Sequence, residues 1–166
     1  MSARSSFRER IRAVAQKVAD GLGTAHSESI YQKAFAAQLQ ADSIPHQCEY
    51  HTPVVYYTNA TTFFHIGDER IDILAYDPGT DEVHVVELKA ISARVSPPRP
   101  VGPTTVLPAA HAQLCKYIRN LKTTLLKDRV VEGHVINFCQ KVTCAEQRME
   151  VEFDTFDALK MEWDWE

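Results

Sequence analysis

The chain has 166 residues, 45% hydrophobic and 24% charged, with a formal net charge of −4, which suits one soluble globular domain spanning 1–166 with a proper core. No apolar run approaches the ~20 residues of a bilayer span and the N-terminus lacks a signal-peptide core, so no membrane role is expected and the protein reads as intracellular, of cytoplasm or nucleus. The charge is uneven: Glu146–Glu166 holds eight acids against Arg148 and Lys160, while residues 1–145 hold 16 bases and 14 acids, so overall acidity does not exclude a polyanionic partner.

Arg4, Arg8, Arg10 and Arg12 resemble a transit peptide, but the same stretch reads better as a first helix. Phe7, Ile11, Val14, Val18 and Leu22 recur at steps of three and four, an amphipathic stripe. Ser5 or Ser6 can cap its start and Gly21 or Gly23 its end. A second helix is predicted from about Ser27, turning Ile30, Ala34, Phe35 and Leu39 to the core and closing at Ile44-Pro45. Strand formers follow at Val54–Tyr57, Thr61–Ile66, Arg70–Tyr76 and Val83–Lys89. The last two flank Asp77-Pro78-Gly79-Thr80-Asp81, the turn of an antiparallel hairpin.

Residues 96–108 hold five prolines and read as an extended surface loop. Pro108 suits the first position of a third helix, whose apolar stripe is Ala110, Leu114, Tyr117, Ile118, Leu121 and Leu125. Val131–Cys139 and Met149–Phe156 are two further strands, and the acidic segment 146–166 is expected at the solvated surface. The order helix, helix, strands, helix, strand, strand is that of an α/β or α+β layer fold. Cys48, Cys115, Cys139 and Cys144 show no zinc-finger spacing, and Cys115 and Cys139 read as buried thiols. The seven histidines show no ligand spacing; His26 and His111 draw interest only because they neighbour site helices. Lys116, Arg119, Lys122, Lys127 and Arg129 offer phosphate contacts or an ordinary wet helix face.

The chemistry lies in the hairpin. Glu87 and Lys89 are two apart in a strand and share a face. Folding about Gly79-Thr80 sets position 74 against 85 and 72 against 87, bringing Asp72 across from Glu87. Two such carboxylates resist joint ionisation unless a cation relieves them, and hard oxygen donors select Mg²⁺, Mn²⁺ or Ca²⁺. With Lys89 to offset charge, the trio suits metal-assisted phosphodiester hydrolysis. Glu-x-Lys alone is common on solvated strand faces; the apolar neighbours Val85, Val86, Ile71, Ile73 and Leu74 make these strands central. Glu28 and Tyr31 share a helical face, as do Gln113 and Tyr117.

Leu22-Gly23-Thr24-Ala25-His26-Ser27-Glu28-Ser29-Ile30-Tyr31, Arg70-Ile71-Asp72, Glu87-Leu88-Lys89-Ala90 and Gln113-Leu114-Cys115-Lys116-Tyr117 stand in this order. Together they resemble the motifs of the GxxExxY proteins, on the RecB-like side of the PD-(D/E)XK nuclease superfamily. The resemblance spans about Phe7 to Gln140. It implies a restriction-endonuclease-like core, a central mixed sheet flanked by helices. It further implies Mg²⁺ or Mn²⁺ held by Asp72 and Glu87, with Glu28 as a further acidic ligand, direct or through water. Gln113 and Tyr117 would steady the site or the nucleic acid, and Tyr31 belongs to the same signature. Ala25 replaces the signature glycine, Ile71 replaces a nominal proline, and the proline-rich loop is longer than usual.

The resulting expectation is a metal-dependent nuclease with catalytic Glu28, Asp72, Glu87 and Lys89, substrate-binding Gln113, Tyr117 and Tyr31, and a nucleic-acid partner, DNA first and RNA second. The alternative is a catalytically inactive nuclease-fold module that binds nucleic acid or protein. A homo-oligomer is compatible with either.

Overall fold

A computed structural model describes residues 3–91, 108–142 and 147–164. Loop residues 96–107 and Cys144, singled out in the sequence, lie outside this set.

Helix α1 (Ala3–Leu22) buries the expected stripe, Phe7, Ile11, Val14 and Val18. It is already helical at Ala3, so Ser5 and Ser6 lie within it rather than at its cap. Its end is the expected glycine: Gly23, at φ +70, donates its N–H to the Ala19 carbonyl at 3.0 Å. Helix α2 (Glu28–Ala41) starts after an extended Ser27 that makes no side-chain cap bond. Its buried face is Tyr31, Phe35 and Leu39, at strict four-residue steps, while Ile30 is 40% exposed. Phe35 and Leu39 are thus buried as predicted and Ala34 packs partly buried against the core; Ile30 is the exception, with Tyr31 buried in its stead.

Among the described residues, six strands form one sheet in sequential order: β1 (His46–Tyr57), β2 (Phe63–Tyr76), β3 (Val83–Lys89), β4 (Val130–Val142), β5 (Gln147–Asp157) and β6 (Glu162–Asp164). All pairs are antiparallel except β3 with β4, which are parallel and joined through helix α3 (Pro108–Leu121). This is the predicted mixed sheet with flanking helices. The short runs at Val54–Tyr57 and Thr61–Ile66 belong to two long strands of a single hairpin. The acidic end is not merely solvated surface: it supplies β5 and the unpredicted edge strand β6. Helix α3 stops at Leu121, and Leu125, assigned to its stripe, is 98% exposed in the following turn. Cys139 is buried as predicted, whereas Cys115 is only partly so.

Apolar layers cover both faces of the sheet. Phe7, Ile11, Phe35 and Leu39 pack on Ile73, Val86, Leu88 and Phe138 on one face. Leu114 and Ile118 of α3 pack on Leu74, Val85 and Val135 on the other. Each fully buried side chain of this kind contributes about 1.5–3 kcal/mol of transfer free energy. Gly133 on β4 sets how deeply α3 sits, since a Cβ there would meet Ile118 Cδ1 at 2.8 Å.

The turn into α2 keeps a glycine-like backbone without the glycine, for Ala25 stands at φ +69. A left-handed alanine is strained by about 1–2 kcal/mol, of which glycine's extra freedom in the unfolded chain offsets roughly 0.4–1. Ala25→Gly should therefore raise Tm by about 1–4 °C in calorimetry; a lower Tm would show that the turn is unstrained.

Candidate active site

The hairpin turn behaves as its sequence dictates. Asp77 donates its N–H to the Glu82 carbonyl at 2.9 Å, and its carboxylate accepts from the Gly79 N–H at 2.9 Å and the Thr80 hydroxyl at 3.1 Å. This closure fixes the register at Leu74↔Val85 and Ile73↔Val86, and one further step sets Asp72 toward Glu87.

Regular pairing stops at that step. On the β1 side the ladder passes from Cys48↔Ile73 to Tyr50↔Ile71, skipping Glu49, which stands in the left-handed region at φ 53. On the β3 side, Oδ2 of Asp72 accepts the Leu88 N–H at 2.8 Å. Asp72 therefore sits just past the end of the β2–β3 pairing, anchored by a main-chain donor. By alternation from Val83 and Val85, Glu87 and Lys89 face the α3 side.

Glu87 is 1% exposed. Its Oε1 meets Lys89 Nζ at 2.8 Å, and its Oε2 is buried with no hydrogen-bond partner among the described residues. Burial first, then the neighbouring Asp72 carboxylate, pushes its pKa up to about 7. Burial likewise raises Asp72, against the Leu88 N–H and the Lys89 charge that lower it. Burial of Lys89 lowers its pKa, but its bond to Glu87 and the surrounding acids outweigh this and leave it raised. Glu28 lies further off, with Oε1 at 3.9 Å from Lys89 Nζ.

These side chains line a cavity of about 450 Å³ that also receives Gln113 and Tyr117 from α3. Gln113 Nε2 donates to the Tyr117 hydroxyl, leaving the phenol its own proton to give. Burial, with Glu87, Asp72 and Glu69 nearby, raises the Tyr117 pKa despite the Gln113 bond, so that proton stays on the oxygen. Tyr31 is absent from the cavity lining. Its ring is stacked on Phe138 at 4.8 Å and its hydroxyl donates to the Gly23 carbonyl at 2.7 Å, tying the turn to α2. His26 points back to the Leu22 carbonyl at 3.1 Å, and His111 pairs with Asp154 at 2.9 Å; neither lines the cavity.

Sequence reasoning missed Gln32, Glu49 and Glu69. Glu49 is bound by Gln32 at 2.7 Å and Arg70 at 2.9 Å, and Glu69 by Lys116 at 2.6 Å. The β1–β2 register would have revealed Glu49, since it lies opposite Asp72. The lining thus holds Glu28, Glu49, Glu69, Asp72 and Glu87 against Arg70, Lys89 and Lys116.

A hard divalent cation fits this lining. Acids exceed bases, the candidate ligand atoms are oxygens, and Glu87 Oε2 is an acceptor without a donor among the described residues. Asp72 and Glu87 are the carboxylates that would hold it. Among the described residues, the group of three potential ligands whose atoms lie within 4.8 Å of one another is His84, Glu132 and His134 elsewhere in the sheet. Glu28, Asp72 and Glu87 do not form such a group, so their carboxylate oxygens do not all lie within 4.8 Å of one another. No helix among the described residues is long and apolar enough to cross a membrane.

The family model for the PD-(D/E)XK nuclease superfamily matches residues 5–149. No curated protein and no solved structure matches the chain.

The raised Glu87 carboxyl makes the metal-free protein bind a proton on folding. Its contribution to stability is full below the usual carboxylate range and is lost as pH rises through about 7. Buried His134, held well below the usual imidazole value by burial and then by His84, acts in the opposite sense, so the comparison must be made against a variant. In chelator, the Tm of wild type minus that of Glu87→Gln should fall steadily from about pH 5 to about pH 8. Mg²⁺ should recover the lost stability at the upper end in the wild type only. A difference that is flat or rises with pH would contradict the site's electrostatics.

Proposed function

The chain belongs to the PD-(D/E)XK nuclease superfamily, whose members are generally hydrolytic nucleases, and on that premise we propose that it is a Mg²⁺- or Mn²⁺-dependent nuclease cutting phosphodiester bonds of DNA, with RNA a second substrate. The GxxExxY signature around Glu28 and the Gln-x-x-x-Tyr spacing of Gln113 and Tyr117 support a RecB-like member of that superfamily. The observation that carries the proposal is Glu87: a buried carboxylate beside Asp72, with one oxygen on Lys89 and the other without a donor among the described residues.

Asp72 and Glu87 would hold the ion, and Glu28 would reach it through water. Bound there, such an ion lowers the pKa of a water and neutralises charge on a phosphate oxygen. Lys89, already held by Glu87, presents its ammonium to the attacking water and to the charge that develops on the phosphate. The Gln113–Tyr117 pair offers the phenolic O–H to a phosphate or sugar oxygen, and Lys116 a charge at the cavity rim. Tyr31 acts at one remove, by fixing the Gly23 turn from which Glu28 starts. The acid-rich lining repels a bare polyanion, which weighs against a metal-free binding module.

Single- and double-stranded DNA and RNA, incubated with Mg²⁺ or Mn²⁺, test the proposal. Wild type should cleave at least one polymer. Folded Asp72→Asn and Lys89→Ala variants should lose about 100-fold or more, while Glu28→Gln should chiefly raise the metal requirement, by roughly 10–100-fold. No cleavage by wild type of any of these polymers, with either metal, would refute it.

A further inference from the structure

A second constellation lies on the opposite face of the sheet, under α1. The parallel β3–β4 register pairs His84 with Glu132 and Val86 with His134. Strand alternation then turns His84, Glu132 and His134 to one face, where Phe7 of α1 packs edge-on against the His84 ring at 4.7 Å. Both histidines are fully buried and Glu132 is 5% exposed.

Three atoms of this group converge. His84 Nδ1 lies 2.8 Å from His134 Nε2, and these nitrogens lie 3.7 and 3.8 Å from Glu132 Oε2. The point equidistant from the corners of that triangle is about 2.0 Å from each, the length of Zn–imidazole and Zn–carboxylate bonds. The surroundings hold the ligands from behind. His134 Nδ1 faces Thr155 Oγ1 at 3.1 Å, a hydroxyl that can accept the Nδ1–H and so leave the Nε2 lone pair toward the triangle. Arg8 donates to both Glu132 oxygens, at 3.1 and 2.6 Å, orienting the carboxylate while leaving lone pairs on Oε2. Two imidazoles and one carboxylate form a borderline donor set, suited to Zn²⁺ and poor for the hard cations of the other face.

We propose that His84, Glu132 and His134 form a Zn²⁺ site that clamps β3 to β4 beneath α1, with a water as the fourth ligand, separate from the Asp72–Glu87 centre. In the metal-free state the two rings share one hydrogen bond. Zinc replaces it when both imidazoles ligate as neutral rings with their protons on the outer nitrogens, His84 Nε2 and His134 Nδ1, so no proton leaves the pair. Through Arg8 the clamp reaches α1, and through β3 it steadies the strand that ends in Glu87 and Lys89.

The test uses the full chain, stripped with chelator and given Zn²⁺ alone. An Asp72→Asn/Glu87→Gln protein, with the catalytic-face carboxylates neutralised, should retain one Zn²⁺ per chain after gel filtration. It should gain roughly 5–10 °C in Tm at a hundredfold excess over Kd. Glu132→Gln and His134→Gln in the same background should lose both effects. Co²⁺ in place of Zn²⁺ should give visible absorption of four-coordinate intensity, and this decides the matter should the ligand variants not fold. Loss of Zn²⁺ from the Asp72→Asn/Glu87→Gln protein, ligand variants that bind like their parent, or a Co²⁺ spectrum without that intensity would each overturn the proposal.

Discussion

The site rests on a carboxylate taken out of water and left short of a donor. Glu87 is 1% exposed, shares its surroundings with Asp72, and has one salt-bridged oxygen and one without a partner among the described residues. Desolvating a charge in this way is costly unless something compensates it. A proton can do so, which is why burial and Asp72 push the carboxyl up to about 7. A divalent cation can do so better at neutral pH, because it satisfies both carboxylates together and leaves Lys89 in place.

Several features of the fold serve that arrangement. The Asp77 turn sets the β2–β3 register, and the left-handed Glu49 breaks the β1–β2 ladder opposite Asp72. Past Ile73↔Val86, where the β2–β3 pairing ends, the Asp72 carboxylate takes the Leu88 amide. On the other side, Gly133 admits the Leu114–Ile118 face of α3, so that Gln113 and Tyr117 reach the cavity rather than standing off from it. The parallel β3–β4 pairing, the one departure from antiparallel order among the described strands, follows from α3 crossing between them.

The hairpin register and the α3 stripe were legible in the sequence because both are local: a turn motif fixes one and helical spacing the other. On α2 only the head of the stripe differs from the prediction, because periodicity does not say whether Ile30 or Tyr31 finds the deeper pocket; contact with Phe138 decides it. Leu125 fits the α3 period but falls beyond the end of the helix. Glu49 and Glu69 carry no motif, and they join the site only through strand pairing. His84, Glu132 and His134 are invisible to ligand-spacing rules for the same reason. They meet through a parallel register that spans the whole α3 crossover.

The central claim is that Asp72 and Glu87 share a divalent cation. Anomalous diffraction from crystals grown with Mn²⁺, recorded near the manganese edge, measures it directly. The account predicts a peak bonded to an oxygen of each of these two residues, with Lys89 alongside and Glu28 reached through water. A well-ordered structure with no peak at that pair, or with Mn²⁺ bound only at other residues, would contradict it.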